Sequence, residues 1–394
     1  MADRLTIGIV CLGMLIATVT NVVRVRAEGK ADDTENSEMI AEVITEPETE
    51  TESEAEEVVT LHEIPKVHGI YVTGPVVGGE RLDEMLEIAE QTDINTFVID
   101  VKEDSGKITY NMDLDVVEEY GLKAGYVDDI SALMDKLEEA GIYTIARVVC
   151  FKDPALAEAR TDLALKRTSG ANITDSNGNA FVNPYKEEVW DHIATIAEKA
   201  AEDGFDEIQF DYCRFPIVDE TSNPIDYGVD TSTYSKEECI SNFYAYLDER
   251  LHAKGIVFGA DLFGTIIGSP EDTASTGQNY VTIAEHADVV CPMVYPSHYG
   301  SGAFNLSVPD AQPYECISGA MEKSVAALAE VPEDECAIVR PWLQAFTAKW
   351  VSGYISYGTE QLQEQIQAVY DAGYDQFIFW NASCRYDHVV GTQM

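Results

Sequence analysis

The chain has 394 residues, 45% of them hydrophobic, and carries 71 acidic against 25 basic side chains for a formal net charge of -46. That apolar fraction can bury a large core. The charge, with no Lys/Arg-rich stripe to offset it, repels phosphate backbones and anionic lipid, so nucleic acid is excluded as a partner.

Residues Leu5 to Val23 form an almost unbroken apolar run between Arg4 and Arg24, a length that suits either a cleaved signal peptide or a single membrane anchor. Residues 1–27 are read as one or the other, with the rest of the chain exported or held at the cell surface. From Glu28 to Thr60 thirteen acids stand against one lysine, without hydrophobic periodicity, the composition of a disordered acidic linker. Residues 61–394 then read as a single domain.

After His62, short β-branched or aromatic runs alternate with longer amphipathic stretches, the pattern of repeated βα units around a parallel sheet. Eight strands are expected, at 68–73, 95–102, 143–151, 207–213, 257–263, 289–295, 337–344 and 376–382. Helices are expected near 81–91, 128–140, 187–203, 236–254, 279–286, 315–330 and 359–372, several closing on glycine (Gly141, Gly204, Gly255, Gly373) as helix C-termini commonly do. Eight such units make an α/β fold, a single (β/α)8 TIM barrel of about 250 residues or more. Its chemistry belongs at the strand C-termini, beneath the long loops 152–186, 214–235 and 296–314.

Cofactor signatures are missing. No GxGxxG follows the first strand, the seven histidines show neither HxH nor HExxH, and no GxSxG turn occurs, so neither a metal nor any other cofactor is expected. The eight cysteines form no CxxC pair, and Cys150, Cys213 and Cys291 sit in strand patterns as small buried hydrophobes.

Acids at strand tips remain. In the fourth strand, alternation turns Gln209 and Asp211 inward and Ile208, Phe210 and Tyr212 outward. The fifth strand, GADLF, carries Asp261 at its tip beside small residues. Two carboxyls on neighbouring strands can flank one glycosidic bond, one protonating the leaving oxygen and the other attacking or activating water. The structural alternative is that Asp211 pairs with Arg214 in a salt bridge and Asp261 caps a loop. Asp100 and Lys102 share a face of the second strand by the same alternation and, with Arg147 on the third, position substrate or form a barrel ion pair. Arg340, Trp342 and Gln344 share a face of the seventh strand, and Trp380 ends the eighth. Tyr295, His298, Tyr299, Trp342 and Trp380 offer flat apolar faces for sugar rings.

The segments VHGIYVTG (67–74), FVIDVKEDSGKITY (97–110), IARVVCFKDP (145–154), IQFDYCRFP (208–216), GADLFG (259–264), MVYPSHY (293–299) and RPWLQAF (340–346) together resemble the putative glycoside hydrolase domain family of bacterial exported proteins. The resemblance spans roughly residues 65 to 390. It implies a barrel distantly similar to α-amylase-type glycoside hydrolases, with the nucleophile at Asp211. Where that pattern has a Glu acid on the fifth strand this chain has Asp261, and Asp100, Asp219 or Glu220 are the other carboxyls that could serve. The expected partner is a polysaccharide or oligosaccharide, cleaved with retention at the anomeric carbon; a barrel that binds glycan without cleaving it is the alternative.

Overall fold

The structure is a computed structural model and describes residues 59–332 and 335–394. The expected signal or anchor segment and nearly all of the acidic linker lie outside the described residues. Eight parallel strands close on themselves: β1 (His68–Val72), β2 (Thr96–Lys102), β3 (Tyr143–Val149), β4 (Glu207–Asp211), β5 (Phe258–Phe263), β6 (Val289–Met293), β7 (Ile338–Val339 with Trp342–Gln344) and β8 (Phe377–Trp380). Each pairs with the next in chain order and β8 returns to β1, with Ile70 opposite both Phe97 and Phe379. This is the expected (β/α)8 barrel. Every residue of β1 and β2 is buried, because helices cover the outside and packed side chains fill the inside; that is why these strands read as nearly continuous apolar runs.

The seven expected helices are α1 (Leu82–Gln91), α2 (Ile130–Glu139), α3 (Glu187–Glu202), α4 (Lys236–His252), α5 (Tyr280–Ala284), α6 (Pro313–Leu328) and α7 (Thr359–Asp371). Their buried residues recur at helical spacing, as Leu82, Met85 and Ile88 do on α1, so each lays one stripe on the barrel. α4 starts at a capping box, where the Ser235 hydroxyl accepts the Glu238 N–H at 3.1 Å and the Glu238 carboxylate accepts the Ser235 N–H at 2.7 Å, satisfying two of the first-turn donors. Gly204 and Gly255, which end α3 and α4, have φ of +108° and +75°, a region costly for any residue with a Cβ.

Two details depart from the expected elements. β7 is interrupted because Pro341 lacks the N–H needed to continue the ladder. After β2 the chain adds two outer strands, Ile108–Tyr110 antiparallel to β2 and Lys123–Val127 parallel to the first of them. Both are too short to show a period in the sequence. On the open face, the loops after β3 and β4 are joined through Lys166–Arg167 and Ile225–Asp226.

One ion cluster on the helical shell makes stability depend on pH. His252, in the last turn of α4, places Nδ1 2.8 Å from Asp248 and Nε2 3.0 Å from Asp288. Burial alone would lower its pKa, but the two carboxylates outweigh burial and raise it to about 9. A group raised in the folded state contributes its full stabilisation below its unfolded pKa of about 6.5 and loses it as pH rises through the folded value. Thermal melts are therefore expected to show a fall in Tm between pH 6.5 and 9 in the wild type that His252→Gln largely lacks. Equal falls in both proteins would remove His252 as the cause.

Candidate active site

β4 ends at Asp211 because Tyr212 adopts φ of 55°, a left-handed conformation costing about 1–2 kcal/mol for a residue with a Cβ, and this turns the chain out of the sheet. Asp211 Oδ1 accepts the Tyr212 N–H at 2.6 Å. Its Oδ2 accepts from Arg147 Nη2 at 2.5 Å and Nε at 3.0 Å. The same guanidinium reaches Asp100 at 2.6 Å and Asp104 at 3.2 Å, so one cation from β3 holds acids from the tips of β2 and β4 and from the loop after β2. The other oxygen of Asp100 accepts from the Tyr71 hydroxyl at 2.5 Å.

The register sets Phe210 opposite Ala260, so Asp211 and Asp261 follow side by side on strands about 4.8 Å apart. Asp261 lies deeper, only 1% exposed. Its Oδ1 accepts from the Trp342 indole N–H at 2.5 Å and from the Gln209 amide, and neither donor carries a charge. Burial, followed by the negative charge of Asp211, pushes the Asp261 carboxyl well above the usual carboxylate range. Both donors address Oδ1, which leaves Oδ2 as the oxygen able to carry a proton. Burial also raises Asp100, against the pull of Arg147. Asp104 goes the other way, because Arg147 and Lys152 overcome its burial and hold it down.

The structure distributes the other expected residues unevenly. The anticipated inward Asp100–Lys102 pair is not formed. A β-bulge between these residues sets Asp100 opposite Arg147 but Lys102 opposite Val148, and the extra residue re-aims the side chain. Lys102 is enclosed with Asp153 at 2.8 Å and the Val149 carbonyl at 2.6 Å. Arg214 does not bridge to Asp211 either; its guanidinium lies 4.3 Å from the Phe263 ring centroid and 5.1 Å from that of Tyr212. Tyr212 is not simply outward: its ring lies 4.5 Å from the Lys152 ammonium, and its hydroxyl accepts from that same ammonium at 3.4 Å.

Gln344 is fully buried, its carbonyl oxygen accepting the Ser297 N–H and its amide donating to Asp310 and to the Phe346 carbonyl, so its hydrogen bonds hold loops together. Trp342 is 2% exposed and serves Asp261 with its N–H. Trp380 and Tyr295 do lie together, 5.6 Å between ring centroids, with Tyr71 6.4 Å from Trp380. His298 is exposed beside Tyr295 at 5.2 Å, whereas Tyr299 turns onto Phe304 at 5.0 Å. Asp219 and Glu220 are engaged elsewhere, with Ser222 and Lys236.

The sequence reading did not single out Tyr71, Asp104 or Lys152. Tyr71 is one step from the tip of β1, and Asp104 and Lys152 lie two and three residues beyond the tips of β2 and β3, which is the available signal. Among the described residues no three His, Cys, Asp or Glu side chains are grouped so as to hold a metal ion.

Curated protein sequences give no match to the chain. Among solved structures it is similar in fold to the PgaB (BpsB) glycoside hydrolase domain from Bordetella bronchiseptica, at 14% identity over 84% of this chain and 100% of that one, with a TM-score of 0.57. It is also similar to the endo-1,4-beta-D-mannanase from Thermotoga petrophila, at 13% identity over 80% of this chain and 88% of that one, with a TM-score of 0.50. A third likeness is to the alpha-galactosidase TtGalA from Thermus thermophilus, at 14% identity over 82% of this chain and 63% of that one, with a TM-score of 0.50. At such identities the likeness is one of fold. The sequence itself goes further: residues 69–386 match the family described as "Putative glycosyl hydrolase domain", and the chain belongs to that family.

Proposed function

We infer that the protein hydrolyses glycosidic bonds of a polysaccharide with Asp211 and Asp261, at the cell surface or outside the cell. The observation that carries this reading is the contrast between two neighbouring carboxyls. Asp211 is ion-paired with Arg147 through two contacts, while Asp261 is enclosed with neutral donors and pushed up by burial. A carboxyl raised by burial suits the role of acid, beside an ion-paired carboxylate free to attack carbon. In the first step Asp261 gives its proton to the glycosidic oxygen, the bond from that oxygen to the anomeric carbon breaks, and an Asp211 oxygen bonds to that carbon. Water then attacks the anomeric carbon, passing its proton to the Asp261 carboxylate and releasing Asp211. The side-by-side register suits the separation of about 5 to 5.5 Å that retaining enzymes use, short of the 6.5 to 9.5 Å that makes room for an inverting water.

The test is incubation of the full chain with a polysaccharide panel, following reducing ends and, by NMR, the anomer first released. Release of the retained anomer supports the reading. Binding without release, unchanged in Asp211→Asn and Asp261→Asn, assigns the barrel to glycan capture instead. N-terminal sequencing of exported material addresses placement: a start at Glu28 means cleavage of the apolar segment, an intact Met1 means an anchor.

The role of Asp261 carries a sign for pH. The acid works while protonated, so kcat/KM falls as pH rises through its elevated pKa. The Trp342 and Gln209 donors favour the charged form and thereby restrain that elevation. Trp342→Phe is expected to shift the alkaline limb of the kcat/KM profile to higher pH, and a limb that stays in place assigns it to another group.

A further inference from the structure

We propose that Trp350 forms an outer subsite for a pyranose unit beyond those flanking the cleaved bond, so that the substrate is a polymeric chain lying across the β7–β8 side of the rim. This rests on the glycan reading above and adds to it a residue and a direction. Trp350 is 69% exposed, and a single exposed aromatic is by itself ordinary. What sets Trp350 apart is how it is backed. Its ring stacks on Phe346 at 5.8 Å with 19° between planes, so one face is covered and the other is open. Phe346 in turn meets Trp380 edge-on at 5.3 Å and Tyr295 at 6.2 Å. Trp380 stacks near Tyr71, whose hydroxyl bonds Asp100 in the Arg147 cluster. An unbroken line of rings thus runs from solvent to the acids, in steps on the scale of one sugar ring.

The loop that bears Trp350 is held at both ends. The Tyr357 N–H donates to the Thr347 hydroxyl at 3.0 Å, and the Tyr357 hydroxyl donates to the Asp310 carbonyl at 3.0 Å. Within it Gly353 takes φ of +85°, in a position where a Cβ would lie 3.2 Å from Val308. A pinned loop presents the indole at little entropic cost on binding. The apolar C–H face of a pyranose ring is the complement of such a surface, and its hydroxyls stay in water at the rim.

The test titrates the full chain carrying Asp211→Asn, which stops turnover, with β-1,4-linked manno-, gluco- and N-acetylgluco-oligosaccharides of two, four and six units by calorimetry. The expected result is that one series binds more tightly as it lengthens, that adding Trp350→Ala weakens the hexamer roughly tenfold and abolishes the gain with length, and that Trp350→Phe restores most of it, with Tm unchanged throughout. A gain with length that survives Trp350→Ala overturns the outer subsite and leaves the glycan reading standing. Binding by none of the series overturns the subsite for such chains, while reducing-end release from the polysaccharide panel decides the glycan reading separately. If Trp350→Ala instead abolishes self-association in sedimentation while the gain with length persists, the indole serves a second copy of the chain and the proposal is wrong.

Discussion

Asp211→Asn is expected to lower kcat/KM by about 10^4-fold or more while leaving the barrel folded. The substitution is nearly isosteric, so the Tyr212 N–H can still find an oxygen at the tip of β4. Arg147 keeps Asp100 and Asp104 as partners, so no buried cation is stranded. What disappears is the anionic oxygen that bonds to the anomeric carbon, and losses of this size follow when a group acting in the bond-forming step is removed. Two measurements decide: reducing-end release on whichever polysaccharide the wild type cleaves, and a melting curve. A loss of activity matched by a loss of fold would mean that Asp211 only anchors Arg147. Activity within tenfold of wild type would move the nucleophile elsewhere, with Asp100 the next carboxyl in the same cluster.

The second large effect lies at the opposite end of the barrel and concerns stability alone. Glu207 at the start of β4 and Arg340 at the break in β7 are both fully buried and 2.7 Å apart. Arg340 also donates to the Gln376 side chain at 3.0 Å, and Tyr143 donates to Glu207 at 3.3 Å. Burial raises Glu207, and the guanidinium opposes that rise. Glu207→Met strands the Arg340 charge in the core, as Arg340→Met strands the carboxylate, and each is expected to cost about 3–5 kcal/mol. The double replacement removes both charges and should recover most of that loss, since a buried pair commonly gains little over apolar side chains of similar volume. Urea unfolding of the four proteins forms the cycle. Single variants within about 1 kcal/mol of wild type would mean that water reaches the pair and that the interior is wetter than its burial implies.

The two ends of β4 show why parts of the site were legible and others were not. Alternation along EIQFD puts Gln209 and Asp211 inward and Phe210 outward; Phe210 indeed meets Phe243 of α4 at 6.4 Å, and Gln209 reaches Asp261 across the barrel wall. The same rule fails one residue later, where Tyr212 leaves extended geometry, and on β2, where the bulge takes Lys102 to the other face. Alternation counts residues and is blind to an inserted one. Trp342 and Gln344 illustrate another limit. Their side chains are amphipathic, so the sequence suits equally a sugar platform and an internal donor. Which of the two they become depends on Asp261, Ser297 and Asp310, far away in the chain.

The barrel itself was readable from the chain because burial writes a local pattern: apolar runs of strand length, helical stripes between them, and glycine where a helix must stop. The ordered series of segments around the strand tips likewise carried the family. Tertiary structure alone decided which acids meet. Asp100, Asp104 and Asp211 converge on one guanidinium because β2, β3 and β4 are neighbours in register, and Asp261 is pushed above the usual carboxylate range because the barrel wall buries it beside Asp211. The physical reason is that a carboxyl's charge depends on distances and water access across many strands, whereas secondary structure depends mainly on the residues next door.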